Sequence, residues 1–319
     1  MAFNVSDQNF AQSSGSNFSN NAFLPEIYSK KVLNFFRKAS VVEAITNTDY
    51  AGEISGFGDT VKIINEPEIT VHAYERGADV TKTELSDAET TLIVDTANAF
   101  KFIVDDIESQ MSHVNFKEVA SSSAAYALRD AFDAGVMAKM FAGVSTSNPD
   151  NQIGTNAAAG AGVEPASGAV DLLGSDGGGV DAIDLMARMA RKLDDENVPE
   201  EGRWFVAPPT FYEELAQSGS KLLSVDFNAG QGSIRNGLVS SGKLRGFNMY
   251  KSNNIDTSGT ATGKVLAGHI SAVSTAQTIT STEVMRDPSS FGDIVRGLHV
   301  YGAKVLRPKA LVSAFYIVD

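Results

Sequence analysis

The chain has 319 residues, no cysteine and a formal net charge of −13, which excludes disulfides and thiolate metal sites. The acidic balance disfavours non-specific binding to nucleic acid or a membrane surface, and no apolar run approaches the roughly 20 residues of a membrane helix. A hydrophobic content of 43% predicts a folded protein with one large or two moderate domains.

Residues 1–21 are rich in Ser, Asn and Gln and have neither a basic start nor an apolar stretch. They predict a mobile arm rather than a signal peptide. Residues 26–44 carry Ile27, Val32, Leu33, Phe36 and Val41, spaced for a short helix or a helix and strand. From 46 to 104 the pattern turns β-like. Gly56, Gly58 and Asp59 lead into a strand over 60–65, Pro67 interrupts it, and 69–74 resumes it. Residues 75–87 are charged, with Gly77 as their flexible point, and suit an exposed tip; 92–94 and 100–104 bring the chain back. An isolated hairpin is marginal in water, so this arm is expected to be covered by another protein surface.

Asp105, Asp106 and Glu108 stand where a helix would begin, complementing its dipole. Ile107, Met111, Val114, Ser121, Ala125, Leu128, Phe132, Val136 and Met140 follow at helical spacing. The stripe predicts one helix over 106–142, roughly 55 Å long at 1.5 Å per residue. Its small residues at 121–125 suit a close crossing. The Gly-rich stretch 145–179 reads as a loop and interdomain hinge. A second unit follows, with a helix over 180–193 burying Ile183, Met186, Met189, Ala190 and Leu193, then a buried strand over 204–207 stopped by Pro208 and Pro209. Thr210 and Glu213 have capping-box spacing. Strand-like segments such as 294–300 fill 270–319. The mixture predicts an α+β architecture.

No catalytic, cofactor-binding or metal site emerges. His72, His113, His269 and His299 are scattered and read as structural. Asp194, Asp195 and Glu196 read as a solvated helix end. Residues 175–181 resemble a calcium-binding turn but occur once, and Gly230-Gln231-Gly232 lacks the third glycine of a dinucleotide fingerprint. There is no Walker lysine and no nucleophile elbow, so an enzyme is not expected.

Several stretches resemble the major capsid proteins of tailed double-stranded DNA bacteriophages, with their HK-97-like fold. Asn47-Thr48-Asp49-Tyr50, Gly58-Asp59-Thr60-Val61 and Ile69-Thr70-Val71 resemble the base and first strands of that family's extended loop. Phe100-Lys101-Phe102 and Val104-Asp105-Asp106-Ile107 resemble the approach to its spine helix. Asn197-Val198-Pro199, Gly202-Arg203-Trp204-Phe205-Val206 and Gly246-Phe247-Asn248-Met249-Tyr250 resemble its axial domain. Gly292-Asp293-Ile294-Val295-Arg296-Gly297, Tyr301-Gly302 and Arg307-Pro308 resemble the last sheet of its peripheral domain.

The resemblance implies an N-terminal arm over 1–45, an extended β-hairpin loop over 46–104, a peripheral domain with spine helix over 105–179, an axial domain over 180–268 and a return to the peripheral domain over 269–319. It implies a virion shell subunit, assembled in the host cytoplasm, that self-assembles into hexamers and pentamers enclosing double-stranded DNA without sequence-specific binding. Partners would be other copies of the chain, a separate scaffolding protein, a portal and decoration proteins, with no membrane and no cofactor. Inter-subunit contacts are expected at Tyr74, Glu75, Arg76 and Asp79 on the loop, and at Arg129 and Lys139 on the helix. Lys62, Lys82 and Asn253 are available for a lysine–asparagine crosslink, but no motif carries that chemistry and none is expected. A same-fold compartment of the encapsulin type or another large ring remains open at this point, as does a soluble enzyme with a non-obvious site.

Overall fold

The computed structural model describes residues 40–50, 60–64, 71, 73, 76–77, 89–106, 116–160, 164–165, 167–172, 180–216, 243–255 and 263–318. Within them a mixed seven-stranded sheet runs in the order β4 (Gln152–Ile153), β12 (Leu311–Ile317), β9 (Gly263–His269), β6 (Arg203–Ala207), β8 (Phe247–Lys251), β7 (Lys243–Leu244), with β5 (Val170–Asp171) also pairing β12. A second, antiparallel sheet orders β10 (Val273–Arg286), β11 (Gly292–Val305) and β3 (Thr96–Asp105). β1 (Thr60–Ile64) and β2 (Glu89–Ile93) form a two-stranded antiparallel ribbon. The helices are α1 (Val42–Ile45), α2 (Phe116–Ser147), α3 (Ala182–Asp195) and α4 (Pro209–Ala216).

The seven-stranded sheet is buried on both faces around β6, β9 and β12, whose residues are buried at successive positions. In β6 all five residues are buried. Phe205 and Ala207 pack with α3 and α4 in one cluster, whereas Trp204 and Val206 join α1, α2 and the root of the second sheet in another. This is strand alternation with a core on each side. On α3 the expected stripe is seated: Ile183, Met186, Met189 and Leu193 are buried, with Ala190 packed beside them.

α2 binds the two sheets together. Phe132, Val136, Met140 and Val144 are almost fully buried, and Phe132 meets Tyr301 and His299 of β11 edge-on at 4.9 and 5.6 Å. A core phenylalanine of this kind is worth on the order of 3 kcal/mol. The close approach falls at Gly135 and Gly143, where an added Cβ would collide with Tyr301 and Val305. It does not fall at 121–125, whose residues are exposed or half-buried.

Other expectations are corrected. The described helix runs to Ser147 rather than ending at 142, because Val144 extends the buried stripe. It stops at Asn148, whose helical geometry is opposed by Pro149; residues 107–115 lie outside the described set. The stretch 145–179 is more than a hinge, since β4 and β5 dock parallel onto β12. The unit expected over 269–319 divides between the two sheets. After β10 and β11, the break at Arg307-Pro308 turns the chain, and β12 enters the seven-stranded sheet between β9 and the short strands β4 and β5. Thr210 is not an N-cap: the helix opens on Pro209, which has no N–H to satisfy, and the Thr210 hydroxyl meets the Tyr316 hydroxyl at 2.5 Å. The run Asp194, Asp195 and Glu196 is engaged by Arg203, Arg191 and Lys309.

Two measurements test this core. Gly143→Val drives a β-branched side chain against Val305 and is expected to lower unfolding free energy by about 1–3 kcal/mol, read from a denaturant midpoint. His299 is buried beside Phe132 and Tyr301, and desolvation lowers its pKa below the ordinary 6.5. Between the lowered folded value and 6.5 the unfolded chain binds more protons, so stability is complete above 6.5 and is lost as pH falls through that window. His299→Gln should remove this component from the pH dependence of the melting temperature; an unchanged profile would refute it.

Candidate inter-subunit surface

The stem of the loop is anchored within its own subunit. Val61 and Leu92, on the ribbon's inner face, pack with Val94, Ala276 and Val300 against the outer face of the three-stranded sheet. The expectation that a neighbouring protein must cover the arm is corrected for this part, because the same chain covers one face of it. The ribbon's other face stays open. Ile64 is 81% exposed, and Lys62 bridges Glu89 at 2.9 Å.

Beyond the ribbon, no element among the described residues lies over the outer sheet face. Register aligns Met285, Ile294 and Ile103 in one row and Glu283, Arg296 and Lys101 in the next. Ile103 and Met285 shield Ile294 between them but remain 52% and 43% exposed. Arg296 donates to Glu283 across the row. At the end of the sheet, Asp287 accepts from Ser289 and Ser290 and shapes a turn that presents Phe291, 80% exposed. These bonds hold the Asp287 carboxyl below its usual pKa. Nearby, Arg286 pairs with Asp106, and the guanidinium lowers the Asp106 pKa likewise. Asp106 thus has an ion-pair partner on β10.

The expected contact residues divide. Arg76 sits in an exposed turn with Gly77, whose φ of +93° favours glycine. Tyr74, Glu75 and Asp79 lie outside the described residues. Arg129 is exposed on α2. Lys139 is half-buried and bonds Asp95 at 2.9 Å, which holds the Asp95 carboxyl below its ordinary value. Lys139 and Asp95 flank a cleft of about 340 Å³ between the loop's root and α2, walled by Ile93, Gly143, Lys304 and Val305. The helix candidates therefore lie apart from the loop turn, Lys139 at the loop's root and Arg129 on open helix surface.

Sequence reading missed Asp133. This carboxylate is fully buried, accepting from the Ser40 hydroxyl at 2.7 Å and the backbone N–H of Val41 and Val42 at 3.1 and 3.2 Å. The available signal was an acid set among Phe132, Val136 and Met137 on the apolar helix face. Phe291, Ile103 and Met285 were also missed, because exposure depends on what the fold leaves uncovered. Among the described residues no cluster of acids and histidines is arranged to hold a metal, and no helix is long and apolar enough to cross a membrane.

A family model for phage capsid proteins matches residues 87–314. No curated protein matches the sequence. Among solved structures, a chain from Mycobacterium phage Che8 is 30% identical, with 92% of this chain and 97% of that chain covered and a TM-score of 0.74. The capsid structure of cyanophage P-SCSP1u is 22% identical over 94% of each chain, with a TM-score of 0.68. The capsid of an empty GTA particle is 12% identical, covering 99% of this chain and 100% of that one, with a TM-score of 0.66. The last two share the fold, which is HK-97-like. Matched along most of its length, the chain belongs to the phage capsid protein family, as a structural, non-enzymatic subunit of a self-assembling icosahedral virus shell.

Proposed function

We propose that this shell is built from hexamers and pentamers enclosing double-stranded DNA, and that the loop beyond the β1–β2 stem reaches over an adjacent subunit. The observation that carries the reading is the ribbon itself. It is fixed at its root on its own sheet through Val61 and Leu92, while Ile64 on its other face is 81% exposed. Exposed apolar rows at Ile103 and Met285 supply further surface of the kind that protein contacts cover. Tyr74, Glu75, Arg76 and Asp79 make the contacts at the loop, with Arg129 and Lys139 contributing from α2.

The net charge of −13 suits a wall that encloses DNA without gripping it. A separate scaffolding protein, a portal and decoration proteins are the further partners, and assembly takes place in the host cytoplasm. The division into N-terminal arm, loop, peripheral domain and axial domain is retained, with β12 assigned to the axial sheet.

Negative-stain microscopy of the expressed protein, with and without its neighbouring gene products, is expected to show closed particles hundreds of ångströms across; small discrete oligomers under both conditions would overturn the reading. Arg76→Glu is expected to leave the melting temperature unchanged and to cut closed-particle yield by roughly tenfold or more, since a like-charge contact is repeated at every interface. Normal yield would remove Arg76 from the interface. On a denaturing gel, mature particles should run as a single monomer band, and slow-migrating ladders would establish a crosslink.

A further inference from the structure

We propose that Asp133 is a positioning residue for assembly, a buried clasp that fixes where the chain enters the subunit body at Ser40. The inference rests on the reading above, in that chain beyond the body serves contacts between subunits. Asp133 lies on α2 with no solvent exposure. Its Oδ1 accepts from the Ser40 hydroxyl and the Val42 N–H, and its Oδ2 accepts from the Val41 N–H and, at 3.5 Å, from Asn254 Nδ2. One side chain thus gathers three segments: the strap at 40–47, the helix, and the turn that follows β8.

The chemistry suits a clasp. A carboxylate taken out of water needs donors on its lone pairs, and here the strap provides three of the four. Two of those donors are the Val41 and Val42 N–H groups at the start of α1, which would otherwise be buried without partners. Helix and strap therefore satisfy each other, and either without the other leaves polar groups stranded. Val41, Val42 and Ile45 then fill the cluster that holds Phe132 and Trp204.

The strap is tied at its other end as well. The Asn47 N–H donates to the Val273 carbonyl at 2.9 Å, and the Thr275 N–H donates to the Asn47 carbonyl at 2.9 Å. The Thr46 hydroxyl donates to the Val42 carbonyl and meets the Thr275 hydroxyl at 3.0 Å. Fixed at both ends, the strap has one path across the joint between the two sheets, and the chain N-terminal to it starts from one point.

The test uses the full-length chain. Asp133→Asn keeps the size of the side chain but turns an amide donor toward the strap's donors. Limited proteolysis of the free subunit between residues 40 and 50 is expected to accelerate about tenfold or more, since cleavage follows the population of the undocked strap. Closed-particle yield should fall in parallel. Ser40→Ala removes one half-exposed hydroxyl and cannot unfold the body, so it carries the test if Asp133→Asn melts early. It should give a smaller acceleration, roughly threefold or more, with the melting temperature preserved. Asn254→Ala, on the far side of the carboxylate, should leave strap cleavage within about twofold of the parent.

Unchanged cleavage in both Asp133→Asn and Ser40→Ala would overturn the clasp, as would equal release by Asn254→Ala. Faster cleavage with normal particle yield would overturn the role in assembly. That outcome is distinguishable from failure of the loop reading, which is decided by Arg76→Glu with the clasp intact.

Discussion

The packing of the second half of α2 is the constraint on which the rest of the structure depends. Phe132, Val136, Met140 and Val144 lie between the seven-stranded sheet and the base of the three-stranded one, in a cluster that also holds Trp204, Leu266, Leu311 and Tyr301. The chain itself crosses between the two sheets at Ile270–Ala272, from β9 to β10, and at Arg307-Pro308, from β11 to β12. A helix can bind both because Gly135 and Gly143 present no Cβ to β11, so its axis lies close enough for Phe132 to reach the His299 and Tyr301 rings. Interiors packed to this density transmit strain rather than absorbing it, which makes the joint a rigid body.

From that body the functional parts project. The ribbon is welded to the outer face of the three-stranded sheet by Leu92 and Val300, so its direction is set by the sheet and not by its own weak hairpin preference. On the other side of the joint, Asp133 ties the strap. Ribbon and strap are thereby referred to one frame, as a subunit needs when the same contacts must repeat around a closed ring. The exposed ion pairs contribute little to this. Lys62–Glu89 is exposed and Lys139–Asp95 is partly so, and pairs of that sort are worth about 0–1 kcal/mol. Their value lies in orienting side chains at the loop's root.

Much of the fold was legible where periodicity is strong. The α3 stripe, the buried strand at 204–207 and the alternation through β3 and β11 follow from residue order, because a helix face and a pleated strand impose their periods locally. The mismatches fall where local signals compete with distant ones. Thr210 looks like a cap until Pro209 takes the first helical position. The small residues at 121–125 look like a crossing, while the crossing is set by Tyr301 and Val305, far away in the chain. The Gly-rich stretch looks like linker because two-residue strands such as β4 and β5 are too short to show alternation.

The sequence by itself determined that this is a folded, cysteine-free, acidic α+β protein without catalytic constellations, carrying an extended β segment ahead of a long helix, with motifs in the order of a phage capsid protein. Composition and period are properties of short windows, and those windows suffice for class and element order. Only the tertiary structure decided that the loop's stem is covered by its own sheet, that the last strand joins the larger sheet beside β9, and that Asp133 is a buried acceptor for the strap. Each of these depends on partners distant in the chain, as Asp133 and Val42 are at a separation of 91, and no local pattern encodes such a pairing.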